Sequence, residues 1–177
     1  MHRMTEYDNL IIMAHAKDET IFFYDFITPR SVVLLLTKPY LKHDEDIMKD
    51  VIIRKGATLI TFNVVEGFDI NFKLDNDTKK MLKSYISSTS IGKIITLGNI
   101  AKDIDPQNRE IYSFINGLNL KNHYMVHYDV TGKKQVSRTV IEYMNRYASS
   151  YKLDKQRKIR MDAYLDTYTK ITGLKRV

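Results

Sequence analysis

The stretch Leu10–Leu36, LIIMAHAKDETIFFYDFITPRSVVLLL, decides the fold class. An apolar run at Leu10–Ala14 leads through His15-Ala16-Lys17-Asp18-Glu19-Thr20 into a helical pattern at Glu19–Ile27 that stops before Pro29. A second apolar run follows at Val32–Thr37. Short continuous apolar runs of this kind suit strands of a parallel sheet covered by helices on both faces. His15 and Asp18 fall where the first strand gives way to the first helix. Open α/β sheets bind ligands at the carboxyl ends of their strands, and both residue types are metal ligands.

Outward from this unit the alternation continues. A helix over Asp44–Lys55 stops at Gly56, a typical C-terminal glycine, and a third strand covers Thr58–Val65. Met81, Leu82 and Tyr85 share one face of a helix at Thr78–Ser87. A fourth strand is expected at Lys93–Leu97, and a helix over Pro106–Ile115 carries proline early, where its missing N–H costs nothing. Tyr124–Val130 reads as a fifth strand. Helices over Gln135–Ala148 and Lys155–Ile171 close the chain, the latter with a Met161, Tyr164, Leu165, Tyr168 stripe. The expectation is one α/β domain over 1–177, a mostly parallel sheet with helices on both faces, ending in a basic helical segment over 151–177.

Composition narrows the function classes. With 177 residues and 44% apolar content the chain can bury a core of its own. The absence of cysteine excludes disulfides and thiolate metal sites. The apolar runs are too short to span a bilayer and the N-terminus lacks a secretory pattern, so a soluble, cytoplasmic protein without a membrane span is expected. The net charge of +7 is uneven: Lys133–Val177 holds 12 Lys/Arg against 4 Asp/Glu, the preceding residues 16 against 17. The basic C-terminal helices are either a solvated face or a surface for nucleic acid or another acidic partner.

An imidazole and a carboxylate three residues apart at a strand-to-helix turn could supply two ligands to a catalytic zinc and leave a position for water. Asp18 could equally complement the N-terminal dipole of its helix. His123 and His127, on one face of the fifth strand, lie about 13 Å apart by strand rise, too far for one ion. His43 falls in the loop after the second strand. Asp103 and Asp105 could bring a carboxylate base from the fourth-strand loop, or Asp105 could simply cap the Pro106 helix. No glycine-rich phosphate loop and no nucleophile elbow follows any strand.

Met13-Ala14-His15-Ala16-Lys17-Asp18-Glu19-Thr20 resembles the opening motif, A-H-P-D-D-E-T, of the PIG-L/LmbE de-N-acetylases. These are zinc-dependent hydrolases of Rossmann-like fold that remove acetyl groups from N-acetylated sugars and sugar conjugates. Weaker similarities extend over Leu10–Ser150: the helix ending at Gly56 with Ala57–Val65 and Glu66-Gly67, the strand Lys93–Leu97, and Tyr147-Ala148-Ser149-Ser150, similar to a late Tyr-x-Ser-Gln element. The resemblance implies a Rossmann-like sheet with His15 and Asp18 as zinc ligands. Lys17 stands at the position of the general base. The second motif, H-P-D-H, falls on Asp105-Pro106-Gln107-Asn108, which puts Asn108 at the third ligand position and Asp105 where a histidine stabilises the transition state. Glu45 lies near the place of an arginine in the family's second helix.

The departures are chemical. A lysine is protonated at neutral pH and repels a dication, and an amide oxygen is a weaker zinc ligand than imidazole. The resemblance thus implies a metal-dependent hydrolase scaffold with weakened or lost catalysis. The alternative is an inactive binding or structural module that engages an acidic partner or nucleic acid through its basic C-terminal helices.

Overall fold

The computed structural model of the chain describes residues 6–37, 45–65, 73–127 and 138–175. Five strands, β1 (Tyr7–Met13), β2 (Ser31–Thr37), β3 (Thr58–Val65), β4 (Ile91–Thr96) and β5 (His123–Met125), form one sheet in the order β3-β2-β1-β4-β5. Every pairing is parallel. The expected α/β, Rossmann-like sheet is what the chain builds.

Among the described residues, seven α-helices connect and close the sheet: α1 (Asp18–Phe22), α2 (Asp46–Arg54), α3 (Asn76–Ser88), α4 (Ala101–Ile104), α5 (Pro106–Gly117), α6 (Thr139–Ser150) and α7 (Lys155–Thr172). Side chains alternate across each strand, so the sheet feeds two cores. Leu10, Ile12, Val32, Leu34 and Ile94 pack with Leu82 of α3 and with Ile111 and Ile115 of α5. Ile11, Met13, Val33, Leu35 and Ile95 face the other way, against α1, α2, α6 and α7. The central strand is therefore apolar on both sides because both sides are interior.

Several boundaries differ from expectation. The helix read at Glu19–Ile27 ends at Phe22 and tightens into a 3-10 turn over Tyr24–Phe26. Ile21 and the aromatic run after it hold an α-helix poorly, and Asn9 Nδ2 captures the Phe26 carbonyl at 2.9 Å, drawing that turn back onto β1. The fifth strand begins at His123 and its ladder ends at Met125; residues 128–130 of its expected range lie outside the described residues, as do His43, Asp44, Glu66, Gly67 and the 135–137 start of the helix before α7. A short helix unread in the sequence, α4, follows a 3-10 turn at Gly98–Ile100. The α7 stripe behaves as expected: Met161, Tyr164, Leu165 and Tyr168 are buried, and Phe22 meets the Tyr168 ring edge-on at 5.0 Å between centroids.

Candidate metal centre

Chain order reverses between β1 and β4: β2 and β3 lie to one side of β1, β5 beyond β4. Connections leave in opposite directions there and open a crevice at the carboxyl ends of the two strands. His15 lies two residues past β1. Asp105 arrives from β4 through the 3-10 turn and α4, and caps α5 by accepting from the Asn108 N–H at 2.9 Å.

The turn after β1 is held by side chains from three directions. The N–H groups of three consecutive residues each donate to one: Ala14 to Asn108 Oδ1 (3.2 Å), His15 to Glu19 Oε2 (3.1 Å) and Ala16 to Glu45 Oε1 (2.8 Å). Thr37, at the end of β2, places its hydroxyl against the Ala14 carbonyl and 3.0 Å from Glu45 Oε1. Glu45, near the arginine position of the resembling family, is thus a brace for this turn. These three backbone donors, which would cost free energy if buried unpaired, are satisfied.

Around this turn His15, Glu19 and Asp105 converge. His15 Nδ1 lies 3.3 Å from Asp105 Oδ2 and 3.5 Å from Glu19 Oε2. One ligand atom from each of the three lies within 4.8 Å of the others, the one such trio among the described residues. Asn108 Nδ2 donates to Glu19 Oε2 at 2.7 Å and to Asp105 Oδ1 at 2.9 Å. Its amide orientation follows from its partners, since an N–H faces one end and two carboxylates the other. Glu19 is fully buried.

The electrostatics register an anionic pocket. Burial alone would lower the His15 pKa, but hydrogen bonds to Asp105 and Glu19 and the two negative charges raise it to about 10. Asp18 is pushed up to about 8 by burial, by the Glu19 charge and by a hydrogen bond with Glu19, with Asp105 adding to the effect. The cluster retains protons that ordinary side chains release.

Of the residues singled out in the sequence, His15, Asp105 and Asn108 come together. Asp18 is half-buried beside Glu19 but outside the converging trio. Lys17 is half-buried at the N-terminal boundary of α1, where its carbonyl accepts from Thr20 and its side chain gives no cap. Asn108 turns its amide nitrogen, not its oxygen, toward the carboxylates. Glu19 is the member that the sequence reading did not single out. Its signal is the four-residue spacing from His15, which spans the turn and the first residues of α1.

His123 and His127 are engaged elsewhere: His123 Nε2 bonds Thr96 Oγ1 at 2.8 Å, and His127 Nδ1 accepts from the Asn99 N–H at 3.0 Å. Asp103 is exposed on α4. Tyr147 bonds Asp50 on α2, in a cleft shared with Arg54, Tyr151 and Arg157. No described helix is long and apolar enough to cross a membrane. No family model, no curated protein and no solved structure matches the chain.

Proposed function

We propose that the chain is a PIG-L/LmbE-like hydrolase in which His15, Glu19 and Asp105 hold a divalent cation and the substrate is an N-acetylated sugar or sugar conjugate. The observation that carries the reading is the convergence of one imidazole and two carboxylates at the sheet's switch point. That donor set fits a dication: imidazole suits zinc and iron, carboxylate oxygens suit magnesium and manganese, and the mixture accepts either class. Zinc is the member the family resemblance favours.

When bound, the ion supplies Lewis acidity toward an amide carbonyl and lowers the pKa of water. The rest of the chemistry falls to the chain. His15 from the β1 turn and Asp105 from the start of α5 meet at 3.3 Å and bring ligands from two elements to one point. Asp18, half-buried beside Glu19, would take and return the proton, a task that a lysine fits poorly. Three braced N–H groups keep the turn from shifting as charge changes.

One observation favours a second reading. The His15 imidazolium already neutralises one carboxylate charge, so the trio could serve as a buried ion pair in a non-catalytic module that binds acidic partners through α7. Acetate release from N-acetylglucosamine conjugates, measured with zinc or manganese added, separates the two. The hydrolase reading predicts turnover that falls at least about a hundredfold in Asp18→Asn, which removes the proton-transferring carboxyl. A folded protein that releases no acetate with either metal supports the module.

A further inference from the structure

We infer that Asn108 is a positioning residue, which fixes the rotation of the two carboxylates that face the ion; this rests on the metal-binding reading above. Asn108 is almost fully buried, and both of its amide hydrogens are committed, one to Glu19 Oε2 and one to Asp105 Oδ1. Each carboxylate therefore has one oxygen tied down. Asp105 Oδ1 accepts twice from the same residue, from its backbone N–H and its side chain, so Oδ2 is the oxygen that turns to His15 Nδ1. Glu19 Oε2 accepts from Asn108 and from the His15 N–H, and this same oxygen lies 3.5 Å from His15 Nδ1.

The pattern fixes the rotation of each carboxylate, with Asp105 Oδ2 and Glu19 Oε2 turned to His15 Nδ1 at 3.3 and 3.5 Å. Without it both groups could rotate and offer either oxygen, or both. Asn108 is itself anchored at the other end, where its Oδ1 accepts from Ala14 at the end of β1. One side chain thus ties the N-terminus of α5 to the β1 turn and aligns two ligands from different elements. Partners that orient metal ligands in this way are typically worth about 10- to 100-fold in affinity.

The test is titration of cobalt(II) into the full chain, followed by its visible absorption, for wild type, Asn108→Ala and Ile115→Ala. Ile115 is buried on the core face of α5, so its truncation loosens the same helix without touching the ligands. Wild type and Ile115→Ala should bind with the same spectrum. Asn108→Ala should bind about 10- to 100-fold more weakly, with shifted bands. If Asn108→Ala does not fold, Asn108→Asp keeps the acceptor for Ala14 and removes the two donors, and its bands should also shift. Wild-type affinity and spectrum in the folded Asn108 variant would overturn the inference and leave the metal reading standing. A wild type that takes up no cobalt would overturn both.

Discussion

At the scale of single residues, the pocket's protons are its most accessible property. His15 binds its proton more tightly folded than unfolded, with a pKa raised from 6.5 to about 10, so its contribution is complete below pH 6.5 and is lost as pH rises through about 10. Asp18, raised from 3.8 to about 8, works in the same direction: its contribution is complete below pH 3.8 and lost as pH rises through about 8. Between pH 7 and 8 both groups hold more protons in the folded state, so the metal-free protein should lose stability as pH rises. Lys55, which burial lowers to about 8, acts in the opposite sense above that pH, which confines the clean window to 7–8. Denaturant midpoints across this window should fall in wild type and fall less steeply in His15→Gln, where Asp18 alone contributes; a rising wild-type midpoint would contradict the protonation pattern. His15, Asp105 and Asn108 were legible in the sequence because a strand end and a proline-started helix locate them. Glu19 was not, because two adjacent carboxylates open α1, and the phase of its first turn decides which one points inward.

At the scale of elements, the decisive piece is the passage from β4 to α5. Gly98 turns the chain at φ +59, and a Cβ there would lie 2.5 Å from His127 Cε1 and 2.9 Å from the Val126 carbonyl oxygen. Gly98→Ala should therefore cost at least about 1–2 kcal/mol from the left-handed conformation alone, with the contact against His127 and the β5 end added. Because this turn delivers Asp105, the variant should also bind metal more weakly than its stability loss explains; calorimetry on the folded fraction measures that difference. A variant as stable as wild type would contradict the strained turn. The strand and helix order was readable from apolar runs and periodicity. The 3-10 turn and α4 were not, since Gly98–Ile104 mixes isolated apolar residues with polar ones at no helical spacing. The helix after β1 was overread because Ile21–Phe23, apolar enough to be buried, gives no sign of where hydrogen bonding tightens.

At the scale of the molecule, the fold brings the pieces of the site together from far apart in sequence. Ala14 and Asn108 are 94 residues apart and share a hydrogen bond, and Glu19 and Asn108 are 89 apart. Such pairings depend on strand order, which alternating elements do not specify; only the placement of β1 beside β4 puts the two motifs in one crevice. The C-terminal helix belongs to this body and is no appendage, because Tyr168 packs on Phe22 at the end of α1, the helix that presents Glu19. Its charged residues Lys155, Arg157 and Lys158 are exposed. A dication bound by the folded state alone should stabilise the whole domain by mass action, in exchange for the protons His15 and Asp18 release. The most direct test is isothermal titration of zinc and manganese into metal-free protein at pH 8. The account predicts one ion per chain for wild type, accompanied by proton release, and loss of that binding in Glu19→Gln. A folded wild type that binds neither ion, or a Glu19→Gln protein that binds as wild type does, would contradict it.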